Sequence, residues 1–282
     1  MVFLVVSVIA YALNNVLWKH MLEKLSPAIL ITIRSFFTTL LAIALGVFLV
    51  PNIFDLSYTK YMSSMLASVI GAFGLVFMIS ALKEGSLKVL ALYNLLTVFI
   101  TATYLVIFED FDALTYGSGS VLMLVGYFLF LFQAYKDRSK FSLSIHLKFL
   151  LMSIFFFASS LLHWYNLLQD VHPVFVAANQ ELVVFVFGLS FLILKGNEWH
   201  SVKSDIQFKK IFWILIMALV IFIAVYFGLL GMLEKDPLLL SLYSLAVPIL
   251  TFFFGMLFFK EKVSIQSIFA LITMVIAAFL LL

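Results

Sequence analysis

The sequence predicts an all-α membrane protein whose ten transmembrane helices form two inverted five-helix repeats. Three observations predict it: a very apolar composition, apolar runs of bilayer length laid almost end to end, and a nearly constant offset between similar stretches of the two halves. Of 282 residues, 65% are hydrophobic and 11% charged, with a mean hydropathy of +1.20. Soluble domains are about half apolar and a quarter charged. The chain holds 33 Phe and no Cys, which excludes disulfides and thiolate metal sites. Its formal charge of +3 calls for no nucleic-acid partner, because the basic residues lie between apolar runs; the partner that the composition demands is the lipid bilayer. No motif calls for a cofactor. The opening MVFLVVSVIAYALNNVLW lacks the basic start of a signal peptide and reads as the first spanning helix.

A hydrocarbon core about 30 Å thick takes roughly 20 helical residues. Runs of that length fall at 2–22, 27–50, 60–82, 87–107, 114–135, 145–168, 173–195, 208–233, 237–259 and 264–282. Pro27, Pro173 and Pro237 stand at helix starts, where a missing amide proton costs little, and Pro51 closes the second run. Pro248 alone interrupts a span.

Shifting the first half by 146 lays WKHMLEKLSPAIL on WYNLLQDVHPVFV, matching Trp18 to Trp164 and Pro27 to Pro173. A shift of 150 lays LYNLLTVFIT on LYSLAVPILT, pairing Tyr93 with Tyr243, Thr101 with Thr251 and, just before, Glu84 with Glu234. A shift of 149 sets DALT on EKVS. The chain therefore divides into residues 1–138 and 139–282. An odd number of helices per half makes the second half enter the membrane from the opposite side, which inverts the repeat.

In the first half an Arg stands early in the second helix, within TIRSFFTTLLA, and ISALKEGSLKVLALYNLLTVFITATYLVIFEDFDALT follows. In the second half GLLGMLEKDPLLLSLYSLAVPILTFFFGMLFFKEKVSIQS carries Pro248 and a Lys-Glu-Lys at the helix end. In these features the whole chain resembles the drug/metabolite transporter superfamily of the EamA type. The first half departs from the pattern: Val98 replaces the expected Pro, and Glu109 and Asp112 both compete as the equivalent acid. The resemblance implies a ten-helix fold around a central cavity reached by alternating access, and it implies no particular substrate. A bacterial or archaeal plasma membrane is the expected location.

Loop charge sets an orientation independently. Lys and Arg in loops one, three, five, seven and nine and the helix ends beside them total about 14, against Lys60 and Lys235 at the even loops. By the positive-inside rule the odd loops are cytoplasmic and both termini outside. The resemblance implies the opposite for many members, which keep both termini in the cytoplasm.

Polar residues within spans are costly unless they meet a partner or water. On the first helix Tyr11, Asn14 and Trp18 share a face, and the repeat puts Phe157, Ser160 and Trp164 on the sixth. They read either as a cavity lining or as interfacial tryptophans with Asn14 and Asn15 bonding between helices. On the fourth helix Tyr93, Thr97, Thr101 and Tyr104 form a stripe beside Asn94, with Tyr243 and Thr251 as counterparts on the ninth. Cavity lining is the preferred reading, since Thr and Tyr occupy one face where Leu would suffice. His163 reads as hydrogen-bonded or interfacial, with substrate contact as the second option. It lacks the i, i+4 spacing to His172 of a helical metal pair. YGSGS, residues 116–120, lacks a phosphate loop's Lys and reads as small residues for close helix packing.

Arg34 and Glu181 are the costliest intramembrane residues. Arg34 lies seven residues past Pro27 and Glu181 eight past Pro173, depths of about 10 and 12 Å from opposite faces. The repeat aligns Arg34 with Gln180, so an ion pair with Glu181 is feasible in depth. Three readings of Glu181 stand, the first preferred: a structural pair with Arg34, a carboxylate that exchanges a coupling proton, or a site for a cationic substrate. An Arg34 not held by Glu181 suits a substrate carboxylate. Both acting on substrate imply a zwitterion such as an amino acid. The expected function is a secondary transporter of a small organic metabolite and not an enzyme. A carrier of cationic or quaternary ammonium compounds is the alternative, and a lipid-acting membrane enzyme the alternative from another class.

Overall fold

The computed structural model describes residues 2–22, 24–50, 55–84, 87–112, 117–136, 143–194, 208–259 and 265–280. They form eleven helices and, among the described residues, no strand: α1 (Val2–Leu22), α2 (Pro27–Leu49), α3 (Tyr58–Glu84), α4 (Leu87–Phe108), α5 (Gly117–Lys136), α6 (Leu143–Leu168), α7 (Pro173–Leu194), α8 (Phe208–Glu234), α9 (Pro237–Ser244), α10 (Ala246–Phe259) and α11 (Ile265–Leu280). The boundary between residues 138 and 139 lies outside the described residues. Among the described residues, seven helical stretches are long and apolar enough to cross a membrane, one of them Pro237–Phe258, which runs through the α9–α10 junction. Shorter apolar stretches lie in α4, α5 and α11.

The helix starts follow from local chemistry. Ser26 caps α2, its hydroxyl accepting from the Ile29 amide at 3.4 Å, and Asp236 caps α9 by accepting from Leu239 at 2.9 Å. Each cap precedes a proline at the first helical position. Between α6 and α7, Asp170 takes a left-handed φ of 63°. The Val171 amide then returns to the Asn166 carbonyl at 3.1 Å, a Schellman closure. His172 Nδ1 accepts from the Val174 amide at 3.2 Å, so this short turn aims α7 back into the bundle.

The ninth span is broken where the fourth is not. Pro248 has no amide to bond the Ser244 carbonyl, and the helix divides at Leu245, whose amide turns back to Leu242 at 3.1 Å. Val98 stands at the matching place in the first half, and α4 runs unbroken from Leu87 to Phe108.

The outer surface is apolar. Phe48, Phe128, Phe132, Phe212, Phe258, Phe269 and Phe279 all point outward, a belt that only hydrocarbon tolerates. Inside, α1 packs on α8, α3 on α6, α2 on α7 and α5 on α11, while α7 also meets α3 and α2 also meets α8. The α1–α8 and α3–α6 contacts share one device. The Ser7 hydroxyl donates to the Ala224 carbonyl at 2.7 Å, and that of Ser159 to the Ala67 carbonyl at 2.8 Å. Four residues on, a methyl group at Gly228 would come within 2.9 Å of Ser7 Oγ and one at Gly71 within 2.7 Å of Ser159 Oγ. Glycine is what lets these backbones approach. Close packing does not explain Gly117 of the YGSGS stretch, where an added methyl would meet nothing within 4 Å; Tyr116 lies outside the described residues.

Candidate functional site

Helix packing leaves a cavity of about 350 Å³ in the bundle. Its polar lining comes chiefly from Tyr11, Asn14, Asn15 and Trp18 on α1, Arg34 on α2, Asn94 and Thr97 on α4, Ser159, Ser160 and His163 on α6, and Gln180 and Glu181 on α7. Ser241 and Ser244 of the broken span complete it.

Arg34 and Glu181 meet within it. Nη1 of Arg34 lies 3.1 Å from Oε2 of Glu181, with side chains 3% and 4% exposed. The contact is an ion pair without good hydrogen-bond alignment, because Glu181 Oε2 has no hydrogen-bond partner among the described residues, and neither has Arg34 Nε. On its other flank the guanidinium carbon sits 5.9 Å from the centre of the Trp18 ring, within cation–π range. Two unlike charges at 3.1 Å attract strongly where water is scarce, which is how the membrane interior tolerates both.

The remaining lining divides into satisfied and unsatisfied groups. Asn15 Nδ2 donates to Thr251 Oγ1 at 3.3 Å, joining α1 to α10. Thr97 returns its hydroxyl to the Tyr93 carbonyl at 3.1 Å. Asn14 Oδ1 and both ring nitrogens of His163 are buried with no hydrogen-bond partner among the described residues. His163 is thus buried and, among the described residues, without the hydrogen bond that the preferred sequence reading gave it. No group of three or more His, Cys, Asp or Glu suited to a metal occurs among the described residues.

Several expected lining residues lie elsewhere, among them Tyr93, Trp164, Tyr243, Thr101, Tyr104 and Thr251. The Tyr93 hydroxyl contacts His146 Nδ1 at 3.1 Å, and its ring stacks on Phe149 at 5.6 Å. Tyr243 is buried among Leu239, Leu242 and their neighbours. Trp164 packs against two apolar clusters beside the Tyr165 ring. The offset of 146 put Phe157, Ser160 and Trp164 on the cavity face of α6; the face that lines the cavity carries Phe156, Ser159, Ser160 and His163. That is a rotation of one residue, about 100°. Phe157 instead meets the Tyr104 ring edge-on at 5.7 Å, Tyr104 bonds the Tyr165 hydroxyl at 3.1 Å, and Tyr165 donates in turn to Glu109. Sequence reading also passed over Ser7, Gly71 and Gly228, which line the cavity. The two glycines had a signal: Ala-x-x-x-Gly-x-x-Gly occurs at 67–74 and again at 224–231.

A helical chain with a lipid-compatible exterior and a solute-sized, mostly apolar cavity that holds a buried ion pair is a polytopic integral membrane protein. Residues 1–132 match the EamA-like transporter family, the family that the motifs of both halves resemble. A protein of known crystal structure superposes on 99% of this chain and 95% of its own length with a TM-score of 0.73. At 18% identity, that likeness is one of fold. No curated protein matches the chain significantly.

Proposed function

We propose that the chain is a secondary transporter of a small zwitterionic, amino-acid-like solute across the plasma membrane. It works by alternating access between two inverted five-helix halves that together cross the membrane ten times. The observation that carries the proposal is the Arg34–Glu181 pair, buried in the cavity at 3.1 Å and contributed by one helix from each half. A zwitterion can exchange with that pair without changing the net charge of the cavity: its carboxylate takes the guanidinium and its ammonium takes the carboxylate. Both ions are already desolvated and oriented, so binding needs little reorganisation. The volume, about 350 Å³, lies at the small end of the roughly 300–1,000 Å³ usual for small-molecule sites, which suits a metabolite better than a lipid. Trp18 already faces Arg34, which counts against its serving as an aromatic cage for a quaternary ammonium ion.

Packing supports two related halves. The contact of α1 with α8 answers that of α6 with α3, α2 with α8 answers α7 with α3, and α1 with α9 and α10 answers α6 with α4. The pairs α2–α7 and α5–α11 join counterparts directly. A two-fold axis in the membrane plane generates this scheme. Because Arg34 and Glu181 tie α2 to α7 on that axis, solute insertion loosens a link between the halves as it binds.

The test is counterflow in proteoliposomes with neutral amino acids, primary amines and quaternary ammonium compounds, each with and without a proton gradient. Exchange of amino acids is the expected outcome, and dependence on the gradient identifies a coupling proton. Flux of ammonium compounds alone refutes the zwitterion, and no flux for any solute refutes the transporter mechanism.

A further inference from the structure

We infer that the solute carries, besides its zwitterionic groups, an uncharged hydrogen-bonding group, a hydroxyl or a carboxamide, which His163 recognises. The inference rests on the zwitterion reading and narrows its substrate class. His163 is 4% exposed, it lines the cavity, and neither ring nitrogen has a hydrogen-bond partner among the described residues. Buried polar atoms are paired in the great majority of cases, so two orphans on one ring inside a ligand-sized space mark a group waiting for a ligand. Its neighbour on α6 cannot serve, since the Ser159 hydroxyl is already given to the Ala67 carbonyl.

Position places the ring beside the zwitterion anchors. His163 stands five residues before the end of α6 and Glu181 eight residues after the start of α7, and residues 169–172 join the two helices at one membrane face. At 1.5 Å per residue the levels are about 8 and 12 Å below that face, so His163 sits roughly one group's length from Glu181 in depth.

Chemistry selects the ligand group. A charged imidazolium buried without a partner is too costly, which leaves the neutral ring with one N–H donor and one acceptor nitrogen. A hydroxyl or carboxamide satisfies both. An alkyl side chain satisfies neither, a second carboxylate only the donor, and a second ammonium only the acceptor. Sites built to hydrogen-bond a substrate reject analogues that lack the group, because their own polar atoms are then left unpaired.

The experiment compares uptake of serine and glutamine with that of alanine and leucine in proteoliposomes of the wild-type protein, His163→Leu and His163→Gln. Wild type should favour the polar member of each pair by about tenfold or more in kcat/KM, the worth of one hydrogen bond made or missed. His163→Leu should abolish that preference while retaining leucine uptake, and His163→Gln, which keeps a donor and an acceptor, should retain most of it. Equal handling of polar and apolar amino acids by wild type, or an undiminished preference in His163→Leu, overturns the inference and leaves the zwitterion reading intact. Absence of any amino-acid uptake by wild type overturns both. Should His163→Leu fail to yield a folded protein, the wild-type ratio and that of His163→Gln decide the matter.

Discussion

Substitution of Glu181 by Gln tests the energetics at the centre of the bundle. It removes one charge and leaves Arg34, 2% exposed, without its counter-ion. At 3.1 Å and an effective dielectric of about 20, the attraction lost is roughly 5 kcal/mol. Breaking a buried pair from one side costs about 3–5 kcal/mol in general. Gln retains an oxygen that can accept from Nη1 and the cavity holds other polar groups, so the lower end, about 3 kcal/mol, is expected. For a chain of this length that is a fall in Tm of roughly 6–12 °C. The assay is thermal unfolding of detergent-solubilised protein for wild type, Glu181→Gln, Arg34→Gln and the double variant. If the charges stabilise each other, the double variant recovers to within about 1 kcal/mol of wild type, since no uncompensated ion remains. Single variants within about 0.5 kcal/mol of wild type would refute the reasoning, as would penalties that simply add.

Other predictions follow from local geometry. An added methyl at Gly188 would meet Thr32 Oγ1 at 2.6 Å and the Thr32 amide nitrogen at 3.1 Å; Gly188→Ala should therefore push α2 from α7 and cost about 1–3 kcal/mol in the same unfolding assay. Partial burial holds the His172 ring below the ordinary histidine pKa, and its Nδ1 accepts the Val174 amide. The unfolded chain then takes up the proton first, so stability is complete above about pH 6.5 and declines as pH falls through the lower folded-state value. His172→Asn should flatten the unfolding temperature between about pH 7 and 5. A reporter fused after Leu282 should appear outside the cytoplasm, because 14 of the Lys and Arg lie in the odd loops or the helix ends beside them, against two at the even ones; cytoplasmic signal reverses the orientation.

Much of the fold was legible because its strongest determinants are local. Pro27, Pro173 and Pro237 begin the helices that carry Arg34, Glu181 and the broken span, as their lost amide and fixed φ require. The difference between Val98 and Pro248 foretold which of two related spans would break. The site was legible in part. Asn14, Asn15, Trp18, Arg34, Asn94, His163, Gln180 and Glu181 do line one cavity, whereas Trp164 was placed there by a repeat offset that cannot register a rotation of α6 by one residue, and Tyr93 and Tyr243 by a polar stripe whose two ends pack against neighbouring helices instead. The orphaned state of His163 was illegible, because it depends on what surrounding helices fail to offer.

The sequence by itself determined that the chain enters lipid, where its helices start and stop, and that Arg34 and Glu181 reach similar depth. Those properties follow from hydropathy, proline and the fixed rise of a helix, each readable along one segment. Only the tertiary structure decided which faces meet. In water a buried helix face is marked by an apolar stripe, but in a bilayer the outward face is as apolar as the inward one, and periodicity loses its meaning. Packing then falls to small contacts such as Ser7 on Ala224 beside Gly228. These set the rotation of each helix, bring Arg34 within 3.1 Å of Glu181, and turn His163 toward the cavity.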